Sequence, residues 1–141
     1  MTVEEKFKLF FPSNDISPNA YSIVKAFNIK DYKFTDRHDE LVDLSKITGT
    51  YYDKYNKHGC RWIDMLYHLE RINNNDFWPQ KIDRILHEYK THTVDLARID
   101  GTDEYFISGE GHQRITLWKL SDLNFKTLPV SIAKPILRNS N

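Results

Sequence analysis

The sequence has little cysteine, no long apolar run and no excess of either charge. Cys60 is its one cysteine in 141 residues, which excludes an internal disulfide and a thiolate zinc site. Apolar runs are only a few residues long, which excludes a transmembrane helix. The start, MTVEEKFKLFF, lacks the basic-then-apolar order of a signal peptide. We therefore expect a cytoplasmic protein with no membrane partner.

The charge balance argues against a protein that acts mainly through the phosphate backbone of nucleic acids. Basic and acidic residues number 20 each, and no third of the chain is strongly basic. Proteins of that class usually carry a basic patch or domain. With 40% hydrophobic and 28% charged residues, the composition is that of an ordinary globular protein. The length fits one domain over residues 1–141.

Hydrophobic periodicity predicts the elements of the second half better than those of the first. Residues 1–75 are poorly assigned, apart from a strand or strand start over 41–47 and a helical stripe over 61–72. From residue 79 the predicted order is helix, strand, turn, strand, helix and strand, over 79–89, 93–99, 100–103, 105–107, 110–120 and 128–133. This order indicates an α+β fold, with a small mixed β-sheet, flanking helices and a core over 79–133.

The segment YFISGEGHQR, residues 105–114, carries the most functional information. A strand runs into two glycines that flank Glu110, and a helix bearing His112 and Arg114 follows. Glycines allow close approach of a ligand to the backbone. The first turn of a helix presents N–H groups without intrahelical partners. An arginine there adds a charged fork suited to phosphate oxygens. The residues therefore favour an anion cradle, with an ordinary tight turn as the alternative.

The stretch over about 91–133 resembles the ParB/sulfiredoxin-like superfamily. The ParB box has the form GERRxRA, and Gly109, Glu110 and Arg114 match its first glycine, its glutamate and its last arginine. A stand-alone branch carries YFVxDGHHRVSVA. There Gly111, His112 and Arg114 match GHHR, with Glu110 in the aspartate position. The resemblance implies a ParB/sulfiredoxin-like fold.

Sulfiredoxins carry YFYSFGGCHRYxA, and Tyr105, Phe106 and Ser108 match in the same register as Arg114. Their cysteine nucleophile is replaced here by His112, so the sequence excludes sulfinic-acid reduction. The double arginine of the ParB box is also missing. Only about 25 residues follow the Arg114 helix, which leaves little room for the DNA-binding and dimerisation regions of partition proteins.

The resemblance implies a nucleotide-binding protein that uses ATP or another nucleotide with Mg²⁺. The implied activity is ATP-dependent phosphoryl transfer to a small-molecule acceptor, and a ParB-like nuclease is the alternative enzyme. Glu110 and His112 are the candidate catalytic residues, and Glu110 is also the candidate metal ligand. The nucleotide-binding candidates are Ser108, Gly109, Gly111, Arg114 and, just before the first strand of this unit, His92.

Two further readings stay open from the sequence. A nucleic-acid-binding protein or nuclease would use an aromatic and basic loop whose side chains contact bases or a protein partner, namely Tyr51, Tyr52, Lys54, Lys57 and Arg61. A non-catalytic phage or mobile-element inhibitor would keep the fold, lose the chemistry and bind a protein partner.

Overall fold

A computed structural model shows a six-stranded mixed β-sheet with helices. It describes residues 2–53, 61–69, 78–88, 93–98, 101–121 and 127–138. Strands β1 to β6 are Lys25–Ala26, Tyr32–Asp43, Ile47–Thr50, Val94–Arg98, Tyr105–Ile107 and Thr127–Leu137. Their order across the sheet is β1-β3-β5-β4-β6-β2. Pairs β4–β5 and β2–β6 are antiparallel, and the other three pairs are parallel. The predicted α+β class and mixed sheet are confirmed.

Three α-helices accompany the sheet in the described part of the chain: α1, Val3–Phe10; α2, Trp78–His87; and α3, His112–Leu120. Helix α1 begins with a capping box, in which Thr2 Oγ1 accepts the Glu5 N–H and the Glu5 carboxylate accepts the Thr2 N–H. Short 3₁₀ helices occur at Pro18–Tyr21, Ile29–Asp31, Leu44–Lys46 and Trp62–Leu69. No helix within these described ranges has the length and apolar character to cross a bilayer.

Two predicted elements are of a different type in the structure. The helix predicted over 61–72 is a 3₁₀ helix, Trp62–Leu69, and residues 70–77 lie outside the described ranges. The strand predicted over 41–47 is instead the end of β2, a 3₁₀ turn and the start of β3. Leu44 and Ile47 are both fully buried. Residues three apart share a helical face, so the 3₁₀ turn places both side chains in the same core.

The centre of the sheet is buried on both faces. In β5, Ile107 belongs to the large core, which also contains Ile115 and Trp118 of α3. Its neighbour Phe106 belongs to a smaller cluster with Ala97 of β4. Successive strand residues point to opposite faces, so this alternation places α3 over one face and an aromatic cluster on the other. The Trp118 indole N–H donates to the Ile85 carbonyl at 2.8 Å, which ties α3 to α2.

The long β2–β6 pair contains an irregularity that positions one arginine. Its register shifts between Thr35 and His38, and Asp36 has a φ of 57°. This is the left-handed region that non-glycine residues seldom adopt, and bulges of this kind re-aim side chains. Arg37 follows directly, and its Nη1 lies 3.7 Å from Asp95 Oδ1 of β4. The bulge thus brings a cation from the sheet edge to β4.

Candidate functional site

A pocket of about 460 Å³ lies where β5 leads into α3. This volume falls within the ~300–1,000 Å³ typical of small-ligand sites. Six of the eight lining residues are among those singled out by the sequence. The pocket is lined by Tyr52, Asp95, Gly109, Glu110, Gly111, His112, Gln113 and Arg114. The segment predicted to be functional therefore faces a cavity of ligand size.

Close packing requires glycine at both glycine positions of the turn. Gly111 has a φ of +129°, which side chains rarely permit, and a Cβ there would lie 2.7 Å from Val94 Cγ1. At Gly109 a Cβ would lie 2.7 Å from Asp95 Oδ2. Gly111 is also the N-cap of α3, so it supplies no capping side chain. The start of α3 consequently presents first-turn N–H groups beside the pocket.

Asp95, which the sequence analysis did not single out, holds the turn in place. Its Oδ2 accepts the Glu110 N–H at 3.2 Å, and its own N–H donates to the Glu110 carbonyl at 3.0 Å. The Ser108 N–H donates to the Asp95 carbonyl at 2.9 Å. Arg37 lies against the other carboxylate oxygen of Asp95. In the sequence, Asp95 was marked only as a polar residue of a predicted strand. That position does not reveal its contact with Glu110, 15 residues away.

His112 is anchored by Thr50 of β3. His112 Nε2 lies 2.7 Å from Thr50 Oγ1, and Thr50 is fully buried. The same hydroxyl accepts the Tyr52 N–H at 3.0 Å and donates to the Ile107 carbonyl at 3.4 Å. All three contacts are satisfied together when His112 Nε2 carries its proton, because a hydroxyl has one proton to give. The Tyr52 ring packs edge-on against His112 with centroids 4.9 Å apart.

Arg114 lies at the rim of the pocket and bonds to an acidic side chain. Its Nε donates to Glu88 Oε2 at 3.3 Å, and Arg84 contacts the other Glu88 oxygen at 3.6 Å. The Arg114 side chain is 28% exposed. A guanidinium carries five N–H donors, so one bond through Nε fixes its orientation and leaves capacity for a ligand anion.

Tyr52 faces a mixed electrostatic environment. Burial raises the pKa of its phenol most, the carboxylates of Asp95 and Glu110 raise it further, and Arg37 opposes them. The phenol therefore stays protonated at neutral pH, and its O–H donates to the Ser108 carbonyl at 3.4 Å. Tyr52, which the sequence predicted to contact bases or a protein partner, thus lines the pocket as an uncharged side chain.

The structure does not bring every predicted nucleotide-binding residue to the pocket. Ser108 is 5% exposed and is not among the lining residues, because it continues the β5 backbone toward Asp95. Within the described part of the chain its Oγ has no hydrogen-bond partner. The role of the Ser108 hydroxyl in nucleotide binding stays a prediction. His92 lies outside the described residues.

The aromatic and basic loop is only partly described. Tyr51 is 2% exposed, and its ring packs against Phe106 and Phe34, so the expectation that it stacks on a base is wrong for this residue. Arg61 forms a two-pronged ion pair with Asp64, with both N–O distances 2.9 Å. Lys54 and Lys57 lie outside the described ranges.

The pocket offers two carboxylates, Asp95 and Glu110, as possible metal ligands. In the ranges that the structure describes, no group of three or more His, Cys, Asp or Glu side chains is placed to hold a metal ion. Mg²⁺ commonly binds one or two carboxylates and takes its other oxygens from phosphate and water. The donor set therefore suits Mg²⁺ arriving with a phosphate ligand better than a metal held by protein alone.

Comparisons with family models, curated proteins and solved structures give no match to this chain. The resemblance to the ParB/sulfiredoxin-like superfamily therefore rests on the residues of the segment itself and stays a prediction.

Proposed function

We propose that this chain binds a nucleotide with its phosphates at the start of α3, and transfers a phosphoryl group from it to a small molecule. The observation that carries the proposal is the start of α3, which opens into a ligand-sized pocket at a glycine N-cap. Backbone N–H groups and the positive end of the helix dipole favour anions there. Arg114 at the rim adds a permanent positive charge.

Divalent metal is part of the proposal because the pocket also contains acid. Asp95 and Glu110 would repel a bare polyphosphate, since each contributes a negative charge beside the glycine turn. Asp95 and Glu110 are the residues that would hold Mg²⁺, and the ion would offset that repulsion and supply charge neutralisation to phosphoryl transfer. We therefore expect nucleotide binding to require Mg²⁺.

Two side chains of the pocket can move a proton. His112 is held through Nε2 by Thr50, which fixes the orientation of its ring. Glu110 is exposed on the turn, and its backbone rather than its carboxylate is tied to Asp95. An acceptor hydroxyl bound beside the phosphates would lose its proton to one of these two groups.

Calorimetric titration with ATP, ADP and CTP, each with and without Mg²⁺, tests the binding step. Arg114→Ala should weaken binding by about tenfold or more, since a hydrogen bond to a charged group contributes roughly 1.5–3 kcal/mol. Arg84→Ala is the matched control, because Arg84 also contacts Glu88 but does not line the pocket. Absence of binding to the wild type, or equal effects of the two variants, would contradict the proposal.

The nucleic-acid alternative draws no specific support from the described residues. Tyr51 is buried and Arg61 is already engaged by Asp64. An oligonucleotide titration at low and high salt in the same experiment would detect such binding by its salt dependence.

A further inference from the structure

The bulge in β2 determines which face of the sheet Arg37 occupies. Before the bulge, Thr35 pairs with Lys134. An unbroken ladder in this register would place Arg37 opposite Ile132, a residue of the large core. Directly opposed residues of an antiparallel pair share a face, and a shift by one residue moves side chains to the other face. The extra residue in β2 therefore places Arg37 on the face of Asp95, which lines the pocket at the glycine turn.

The bulge has a conformational cost at Asp36. Its φ of 57° is the one positive φ among the non-glycine residues that the structure describes. Left-handed backbone is unfavourable for a residue with a Cβ, and such strain clusters at ligand sites, where the surrounding structure maintains it. A regular ladder would avoid this strain. The bulge therefore marks Arg37, the side chain that it re-aims, as a candidate for ligand binding.

The Arg37 guanidinium is held loosely on this face. Its Nη1 lies 3.5 Å from Ser131 Oγ and 3.7 Å from Asp95 Oδ1, and the side chain is 41% exposed. Arg61, by contrast, bonds to both oxygens of Asp64 at 2.9 Å. Among the residues that the structure describes, Ser131 is the one hydrogen-bond partner of the Arg37 side chain. A guanidinium has five N–H donors, so most of those of Arg37 remain for a ligand.

Arg37 and Arg114 approach the pocket from different elements. Asp95 Oδ2 accepts the Glu110 N–H of the glycine turn, whereas Asp95 Oδ1 faces Arg37. Arg114 belongs to α3 and lies at the pocket rim. Arg37 is also close enough to Tyr52, a lining residue, to oppose the rise in the pKa of its phenol. One arginine thus comes from the sheet edge and the other from the helix.

The charges of the pocket favour a ligand that reaches both arginines. Two carboxylates line the pocket, those of Asp95 and Glu110, together with the one guanidinium of Arg114. The start of α3 and Arg114 can hold a single phosphate group between them. Further phosphate groups of a longer ligand need another cation, and Arg37 supplies one on the far side of Asp95.

We propose that Arg37 binds the outer phosphates of the nucleotide, so that Arg37 and Arg114 together select a ligand with two or more phosphate groups. The inference rests on the proposed function and adds a binding residue from β2 to a site otherwise built around α3. The weak contacts of Arg37 with Ser131 and Asp95 are exchanged for charge-assisted hydrogen bonds to phosphate oxygens.

Calorimetric titration with ATP, ADP and AMP, each with Mg²⁺, tests the proposal. The wild type should bind ATP about tenfold or more tightly than AMP. Arg37→Met should weaken ATP binding about tenfold or more and leave AMP binding unchanged within about twofold, because AMP does not reach Arg37. Lys33→Met is the matched control. Lys33 is an exposed cation of the same strand on the other side of the bulge, so its loss should change neither affinity.

The outcomes separate this inference from the proposed function. Absence of nucleotide binding to the wild type would overturn both. Equal ATP affinities of the wild type and Arg37→Met would overturn the assignment of Arg37 alone. A loss of AMP affinity as large as the loss of ATP affinity would do the same, because an arginine that only supports the fold affects both ligands.

A measurement on the wild type keeps the proposal testable if Arg37→Met does not fold. In ¹H–¹⁵N NMR spectra, ATP should shift the signal of the Arg37 Nε–H, because a phosphate oxygen becomes a new partner of the guanidinium. AMP should leave this signal in place. No shift with ATP, or equal shifts with ATP and AMP, would contradict the assignment.

Discussion

Replacing Gly111 by alanine should damage the fold more than any other single methyl addition to the glycine turn. Gly111 has a φ of +129°, and a Cβ would lie 2.7 and 2.8 Å from two side-chain atoms of Val94. Positive φ costs a non-glycine residue ~1–2 kcal/mol. Forcing a methyl group into packed core adds about 1–3 kcal/mol. We therefore expect Gly111→Ala to lower the free energy of unfolding by roughly 2–5 kcal/mol.

Gly101 provides the control because it separates backbone strain from steric overlap. It has a φ of +77°, but nothing lies within 4 Å of a Cβ built there. Gly101→Ala should therefore cost only ~1–2 kcal/mol, the strain alone. Urea unfolding followed by circular dichroism measures both variants. Costs that agree within about 0.5 kcal/mol would refute the packing argument, since the overlap with Val94 should add at least ~1 kcal/mol at Gly111.

Two further predictions concern the buried hydroxyl of Thr50, which contacts the start of α3, and the buried amine of Lys119, near the end of α3. Thr50→Val should lower the free energy of unfolding by about 1–3 kcal/mol, because it removes the hydrogen-bond partner of His112 Nε2 and of the Tyr52 N–H. Thr50→Ser keeps the hydroxyl and should retain most of the wild-type free energy of unfolding. ¹⁵N NMR of the His112 ring should show a changed tautomer in the valine variant but not in the serine variant. Lys119 has a folded-state pKa of about 8 against 10.5, so the unfolded chain binds more protons between these pH values and the free energy of unfolding rises with pH across that window. The free energy of unfolding should rise by roughly 3 kcal/mol in the wild type over this window and should not rise in Lys119→Met. Urea unfolding at a series of pH values measures both proteins. Equal pH dependence of the wild type and Lys119→Met would show that the amine is not buried in solution.

The elements that the sequence predicted well are those with a local cause. The strand predicted over 93–99 forms β4, and the strand predicted over 105–107 forms β5; the two strands pair antiparallel. The helix predicted over 110–120 begins two residues later, at His112, because Gly111 takes the N-cap. In contrast, β2 was missed, since it is an exposed, charged strand whose bulge at Asp36 interrupts any alternation. Hydrophobic periodicity reveals a strand only when the strand buries apolar side chains on one face, and most side chains of β2 are exposed.

The sequence by itself was enough to predict the glycine turn and to single out Glu110, His112 and Arg114, because the turn, the start of the helix and these side chains are adjacent in the chain. Tertiary structure alone decided what those groups contact. Thr50 reaches His112 across 62 positions, and Arg37 reaches Asp95 only through the β2–β6 register. Pairing of distant strands depends on the whole sheet, and no local pattern encodes it. The same packing buried Tyr51 and Lys119, side chains whose surroundings come from elements far away in sequence.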